Sequence, residues 1–396
     1  MTAVNPRAAA RATFLIFGLN GMVFASWAAR IPAVTATLGL SSGEMGALLL
    51  VTAVGSLISL PLSGTVVARI GTAHAVRAGG LLAAVGGVSI ALSLLAVSVP
   101  GVAAGLFLFG AGVGLWDVSQ NLEGAEVERR LRRTVMPQFH AGFSGGAFVG
   151  AMIGAGLAKL DVGLPVHLLA IAGIVVVLVL VAPRYFLPDR PHAPAAGSPQ
   201  PRGATAWREG RTLLIGLVVL GAALTEGAAN DWLAKATVDG LHATQAVGAL
   251  MFAVFVASMT AFRFVGARFI DRYGRVLVLR ASLGAALAGL VAFVLVPNVW
   301  LAAVGAVLWG AGAALGFPVG MSAAADDPAR AAARVSVVST IGYTAFLAGP
   351  PVLGFIGDHV GVRNALLAVG VVIVASLVTI PAARPLPVPE PAVHSD

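Results

Sequence analysis

Three polar side chains that could hold a proton or contact a solute stand in the stretch 105–133, which begins as an apolar run and ends in a basic cluster. They are Asp117, Gln120 and Asn121, and the second and third follow the first by three and four residues. That spacing places all three on one face of an α-helix. If the helix spans a membrane, an ionisable residue there is costly and marks a candidate functional site. We therefore predict that Asp117 carries a coupling proton and that Gln120 and Asn121 contact a substrate.

The composition indicates that the stretch does span a membrane. Hydrophobic residues make up 58% of the 396 residues and charged residues only 11%, with a mean hydropathy of +0.93. Soluble domains carry about 25% charged residues, so the chain is predicted to be an integral membrane protein. The net charge of +8 does not indicate a nucleic-acid partner, because the arginines lie between apolar runs. The absence of cysteine excludes disulfide and thiol chemistry.

The apolar runs predict an all-α membrane protein of about twelve transmembrane helices in two pseudo-symmetric six-helix halves. We assign residues 1–186 to the first half and 212–383 to the second. The proline-rich segment 187–211 is predicted to be a cytoplasmic linker, and 384–396 a cytoplasmic tail. The predicted spans cover residues 12–37, 45–69, 74–98, 101–127, 135–158, 163–186, 212–237, 244–269, 275–296, 299–323, 334–357 and 362–383.

Positive charge predicts the orientation. Clusters of arginine occur at alternate connections between spans, whereas the other connections hold little beyond Lys159, Lys235 and Arg363. Lys and Arg concentrate in cytoplasmic loops, so both termini and the linker are expected on the cytoplasmic side. The membrane is expected to be the plasma (inner) membrane. The boundary of the second span is marked by Ser41 and Glu44, an S-x-x-E capping box.

The two halves share sequence features at a nearly constant offset. Gly110-Ala111-Gly112 in the fourth span recurs as Gly310-Ala311-Gly312 in the tenth, and Trp27 with Arg30 recurs as Trp232 with Lys235. Such matches in the same order favour an internal duplication. Asp117 has Phe317 as its counterpart, so the duplicated scaffold does not itself require an acid there.

This pattern resembles the major facilitator superfamily across essentially the whole chain. The cytoplasmic motif of that family, G-x-x-x-D-R-x-G-R, is matched by residues 267–275, with alanine in place of the first glycine. The first half keeps only part of the motif. The resemblance implies a gating role for seven residues: Gly64, Arg69, Gly71, Asp271, Arg272, Gly274 and Arg275.

Within the superfamily, the chain resembles the fucose:proton symporter branch or a bacterial group beside it. The resemblance rests on Asp117 and Asn121 in the fourth span and on Glu226 followed by Trp232 in the seventh. The branch typically has Asn-Pro where this chain has Asn121-Leu122, and it often has an acid where Ala28 stands. Proton coupling is implied by the resemblance, whereas a sugar substrate is put in doubt by these departures.

Further candidate residues lie on the predicted cavity-lining spans. Glu226 is predicted to act with Asp117 in proton coupling, and structural hydrogen bonding between helices is its alternative role. The predicted substrate contacts, besides Gln120 and Asn121, are Asn20, Trp27, Asn230 and Trp232. Trp27 is equally consistent with an interfacial anchor.

Charged residues near the span ends have competing interpretations. Arg30 and Lys235 would flank the outer mouth, where they either attract an anionic solute or snorkel to the interface. His140 is a possible proton carrier, although a structural role is common for a lone histidine. Three acids, Glu123, Glu126 and Glu128, are expected to form a surface ion-pair network with the arginines that follow them.

These observations predict a secondary active transporter that moves a small polar organic solute by alternating access and is coupled to protons. No G-x-x-x-x-G-K-[ST] loop is present, so a nucleotide is not the expected energy source. Alternatives are a proton-driven drug or metabolite exporter and a transporter-like receptor without flux. No H-E-x-x-H motif or convincing Ser/His/Asp set indicates an enzyme. We expect a monomer in the bilayer, with protons as coupling ion, no other cofactor and no metal.

Overall fold

The computed structural model describes residues 5–132, 135–188, 203–327 and 330–386, so most of the predicted linker and tail lies outside the described residues. Twelve helices within these ranges are long and apolar enough to cross a membrane, which confirms the predicted number. In chain order they are α1 (Pro6–Ala28 and Ile31–Leu38), α2 (Ser42–Ile70), α3 (Thr72–Leu95), α4 (Val99–Leu131), α5 (Met136–Lys159), α6 (Leu164–Val181), α7 (Gly210–Gly240), α8 (Gln245–Tyr273), α9 (Arg275–Leu295), α10 (Val299–Ala313 and Gly316–Ala324), α11 (Ala331–Val360) and α12 (Val362–Ala365 and Leu367–Thr379).

The start of α2 has the local chemistry that its sequence predicts. The Oγ atom of Ser41 accepts a hydrogen bond from the backbone N–H of Glu44 at 3.2 Å. The backbone N–H of Ser41 donates to Oε2 of Glu44 at 2.8 Å. This reciprocal pair satisfies two N–H groups that would otherwise lack partners. The capping box is therefore confirmed.

Three of the twelve helices are interrupted, and in α1 and α10 the interruption precedes a proline. Proline has no N–H, and its ring clashes with the carbonyl four residues earlier. Pro32 therefore cannot bond to Ala28, where the first segment of α1 ends, and Pro318 cannot bond to Ala314, where α10 breaks. The break in α10 leaves the backbone carbonyl of Ala314 without its helical hydrogen-bond donor inside a membrane-spanning helix.

The duplicated glycines pack in the same way in both halves. A Cβ atom on Gly110 of α4 would lie 2.0 Å from the carbonyl oxygen of Thr52 in α2, and one on Gly310 of α10 would lie 2.4 Å from that of Phe255 in α8. Both distances are far below van der Waals contact. The matched glycines thus let α4 approach α2, and α10 approach α8, at backbone distance.

The turns between helices define two faces of the molecule. We call the side with the starts of α1 and α7 and the end of α12 the terminal face, and the opposite side the far face. The halves meet along α2 and α11 and along α5 and α8. At the far face this contact is tight, because a Cβ on Gly46 of α2 would lie 2.6 Å from the carbonyl oxygen of Pro350 in α11. Nearer the terminal face, a Cβ on Gly64 would meet nothing within 4 Å.

One carboxylate joins the two halves at the far face. Asp358, near the end of α11, accepts hydrogen bonds from the backbone N–H of Ser42 at 2.7 Å and of Gly43 at 2.9 Å. The hydroxyl of Ser41 donates to the same carboxylate at 3.1 Å. An anion is stabilised at a helix N-terminus because unpaired N–H groups and the helix dipole point at it. We call this contact the far-face clasp.

Replacing Asp358 with alanine is expected to shift the protein towards a form in which the halves separate at the far face. Hydrogen bonds to a charged group contribute about 1.5–3 kcal/mol, so the ratio of open to closed molecules should rise roughly tenfold or more. The natural chain has no cysteine, so spin labels at Ala36→Cys and His359→Cys would report the distance across the clasp.

The matched control for the clasp is Asp239→Ala. Asp239 is also a far-face acid, but it pairs with Lys235 of its own helix at 2.6 Å. That control should leave the distance distribution unchanged. An unchanged distribution in Asp358→Ala as well would show that the clasp does not hold the halves together.

Candidate functional site

The polar cluster on α4 is assembled within one helix. The carboxylate Oδ1 of Asp117 accepts hydrogen bonds from Nε2 of Gln120 at 3.0 Å and from Nδ2 of Asn121 at 3.3 Å. Asn121 also donates to the backbone carbonyl of Asp117 at 2.8 Å. The three side chains therefore share one face, as their spacing predicts. In the described parts of the chain, no Lys, Arg or His forms an ion pair with Asp117.

Several amide atoms near this cluster are buried without a protein partner. Gln120 and Asn20 of α1 are both fully buried. Among the described residues, no group bonds to Oε1 of Gln120 or to either side-chain amide atom of Asn20. A buried polar atom left unpaired costs about 1–3 kcal/mol. These amides are therefore available to a solute or to water.

An ion pair joins two cavity-side helices of the second half. Nη2 of Arg263 on α8 lies 2.9 Å from Oε2 of Glu226 on α7. Nε of Arg263 donates to the carbonyl of Ala314 at 3.4 Å, the group left without its helical partner by Pro318. Arg263 thus joins α7, α8 and the break in α10, and it compensates the charge of Glu226.

Aromatic rings from α10 and α11 stand beside the ion pair. Tyr343 lies between Phe317 and Phe346, with ring centroids 6.5 and 6.4 Å away. Phe346 packs on α7 at Gly227, where an added Cβ would lie 3.2 Å from its ring. The second half therefore presents ring faces where the first half presents carboxyl and amide groups.

These side chains do not form a metal site. Within residues 5–132, 135–188, 203–327 and 330–386, no group of three His, Asp or Glu residues could hold a metal ion. The arrangement instead provides hydrogen-bonding groups, aromatic faces and carboxyl groups that a proton could neutralise.

Comparison with known proteins identifies the family. The model described as Major Facilitator Superfamily matches residues 12–234 and 214–396, each including one half of the chain. The chain belongs to this superfamily. It is 34% identical over 361 residues to the uncharacterized transporter y4wD of Sinorhizobium fredii, covering 89% of this chain and 92% of that protein.

Solved structures show the same fold. A variant of the nucleoside transporter NupG superposes with a TM-score of 0.77 at 16% identity, over 95% of this chain and 99% of that chain. A variant of the E. coli fucose:proton symporter FucP gives a TM-score of 0.59 at 17% identity, over 93% and 98% of the two chains. The resemblance to a major facilitator transporter is confirmed, and the protein is a multi-pass membrane protein.

The predicted mouth charges of this superfamily member are buried in the structure. Arg30 is only 3% exposed, and it donates to the carbonyl of Gly154 at 3.4 Å and to that of Val162 at 3.1 Å. Lys235 is 5% exposed and pairs with Asp239. Neither side chain therefore flanks an open mouth in this conformation, because the halves meet at the far face. Attraction of an anionic solute stays a prediction.

The other predicted substrate contacts differ in accessibility. Trp27 and Trp232 are 3% and 0% exposed and belong to the hydrophobic core. Asn121 and Asn230 are half-buried. A substrate could reach the two asparagines in this conformation more readily than the two tryptophans. Their roles in binding stay predictions.

The two copies of the gating motif share a backbone conformation. Gly71 and Gly274 have φ of 79° and 75° and ψ of 163° and 152°, a combination open essentially to glycine alone. Each residue turns the chain sharply from one helix into the next. Arg275 of the second copy pairs with Asp326 in the connection after α10, whereas Asp271 and Arg272 are exposed. The gating role of the motif residues stays a prediction.

One expectation about the end of α4 is wrong. Glu123 is not part of a surface network, because it is 1% exposed and accepts hydrogen bonds from Thr72 Oγ1 at 3.0 Å and from the backbone N–H of Leu187 at 2.8 Å. It fastens the start of α3 and the chain after α6 to α4. Glu126 does pair with the neighbouring Arg129 and Arg130. Glu128 instead caps the start of α5 through the N–H groups of residues 135 and 136.

Sequence reasoning missed the partner of Glu226 and one further acid of α7. The partner of Glu226 is Arg263 on the next helix. Helical spacing along α7 itself places only Asn230, which carries no charge, one turn from Glu226. Asp231 was also overlooked, although it is an acid inside a predicted span. Among the described residues, no donor bonds to its carboxylate. The sequence did offer an indication of Asp231, because it stands between Asn230 and Trp232, which were both predicted to contact the substrate.

Proposed function

We propose that the protein is a secondary active transporter that moves a small polar organic solute by alternating access, coupled to protons. The observation that carries the proposal is the contrast between two acids. Glu226 has Arg263 as its counter-ion, whereas Asp117 is bonded only by the amides of Gln120 and Asn121 within the described chain. A carboxylate without a counter-ion in a membrane is stabilised when it takes up a proton.

Alternating access is supported by the uneven contact between the halves. The far-face clasp and the close packing of Gly46 hold the halves together on one side, while Gly64 has open space on the other. Rocking of one half against the other would expose a midplane site to each side in turn. We place the terminal face in the cytoplasm of the plasma membrane, because the arginine clusters lie there.

The solute class follows from the groups around Asp117. Unpaired amides on α1 and α4 offer hydrogen bonds, and the rings of Phe317 and Tyr343 offer flat apolar surfaces. Solutes with polar groups around a compact ring match both features. Nucleosides and hexoses are the first to test, since structural neighbours are named as a nucleoside transporter and a fucose:proton symporter.

Purified protein in proteoliposomes should take up such a solute together with protons. Uptake of labelled nucleosides and hexoses would be measured while a trapped pH-sensitive dye reports the lumen. We expect solute-dependent acidification of the lumen and accumulation above the outside concentration. Liposomes without protein are the control. Flux that continues undiminished after the proton gradient is collapsed, with the solute gradient held constant, would contradict the coupling.

A further inference from the structure

A cavity with arginines on its walls opens at the terminal face between the start of α9 and the chain that follows α12. Its volume is about 370 Å³, and its lining includes Tyr273, Arg275, Leu277, Arg280 and Arg384. We call it the basic rim cavity. It is separate from the polar cluster of α4 and from the ion pair of Arg263, although its wall includes Gly274 and Arg275 of the second gating motif.

The charge of the cavity is only partly compensated. Asp326 bonds both to Arg275 and, at 2.8 Å, to Arg211. Partial burial raises the pKa of Asp326, but the hydrogen bonds and charges of these two arginines outweigh it and hold that pKa below its usual value. One carboxylate therefore faces two guanidinium groups. Within the described residues, Arg280 and Arg384 have no acidic partner at all.

Backbone donors add to this positive surface. Helix α9 starts after Gly274, which has no side chain to cap it. The first α-helical hydrogen bond at this end runs from the N–H of Val278 to the carbonyl of Gly274. The N–H groups of residues 275–277 precede that bond, and these residues line the cavity. Nε of Arg275 is likewise buried without a partner among the described residues. Such donors favour an anion with several oxygen atoms.

The surroundings of the cavity are those of a lipid-facing rim. Leu277 of α9 is 56% exposed and Val378 of α12 is 75% exposed, although both lie in membrane-spanning helices. Apolar side chains exposed in such helices face lipid chains. Tyr273, which is 51% exposed, has the amphipathic ring that is enriched at the level of lipid headgroups. The cavity therefore lies where the phosphate of a lipid would be.

We propose that the basic rim cavity binds the phosphate group of an anionic lipid, with Arg280 and Arg384 as its main charged contacts. Guanidinium groups bind phosphate oxygens in pairs, and basic pockets on this side of membrane proteins accept anionic headgroups. The lipid chains would lie along Leu277 and Val378. Free phosphate has the same oxygen chemistry but would gain nothing from these apolar side chains.

The test measures lipid binding by the purified full-length protein in detergent. Phosphatidylglycerol, phosphatidylcholine and inorganic phosphate are titrated separately, and bound lipid is counted by native mass spectrometry. We expect phosphatidylglycerol to bind and to raise the melting temperature. The double variant Arg280→Gln/Arg384→Gln should lower its apparent affinity roughly tenfold or more, consistent with the loss of two charged contacts.

The matched control removes two other terminal-face charges, Arg208→Gln and Arg268→Gln. Both residues are exposed and neither lines the cavity, so affinity should stay at the wild-type level. The variant Arg280→Lys/Arg384→Lys keeps both positive charges and should retain most of the lipid binding. It provides a second comparison with the wild type if the glutamine variant fails to fold. Equal loss in the control pair, or full displacement of the lipid by inorganic phosphate at similar concentration, would overturn the proposal.

Discussion

Asp117→Asn is expected to retain solute binding and exchange but to lose accumulation driven by the proton gradient. Asparagine resembles the protonated acid in shape and neutrality, so the hydrogen-bonding face with Gln120 and Asn121 is preserved. A potential of 100 mV supplies about 2.3 kcal/mol per charge moved, which supports roughly fifty-fold accumulation. In the variant the accumulation ratio should fall to about one. Uptake and counterflow of the same labelled solute in proteoliposomes measure both properties.

Glu126→Gln is the matched control for this experiment. It removes an acid from the same helix, but one that pairs with Arg129 and Arg130 near the terminal face. It should accumulate solute like the wild type. Should Asp117→Asn still concentrate the solute, the coupling site lies elsewhere. Glu226, His140 and Asp231 would then be the candidates.

Arg263→Gln should destabilise the protein and lower solute binding, and a second substitution, Glu226→Gln, should restore much of the stability. Removing one partner of an ion pair leaves an uncompensated charge, which costs about 3–5 kcal/mol when the pair is buried. Glu226 and Arg263 are 21% and 33% exposed in their side chains, so we expect roughly 2 kcal/mol here. Thermal unfolding in detergent would compare the single and double variants.

Arg268→Gln serves as the control for Arg263, because it removes an exposed arginine from the same helix. Its melting temperature should match the wild type. If the losses in the two single variants simply add in the double variant, the pair is not coupled. Transport by the double variant tests a separate point, since full activity would show that the ion pair is needed for stability alone.

Local sequence features were enough to predict much of the architecture. Hydropathy predicts the spans because each must match the thickness of a bilayer, and the side chains of Ser41 and Glu44 determine where α2 begins. The paired glycines near positions 110 and 310 indicate duplication, since close helix packing admits only small residues at the contact. Asp117, Gln120 and Asn121 were predicted to share a face because helical periodicity alone brings them together.

Contacts between distant parts of the chain could not be predicted in this way. Arg263 meets Glu226 only because α8 packs against α7, and its second bond depends on the carbonyl that Pro318 leaves unpaired in α10. Glu123 is buried because the start of α3 and the chain after α6 converge on it. The far-face clasp joins residues 42 and 358, which local periodicity cannot relate. The sequence by itself thus determined the spans, the duplication and the polar face of α4. Tertiary packing alone decided which charges are paired and which remain available, because the partners of a charge come from other helices.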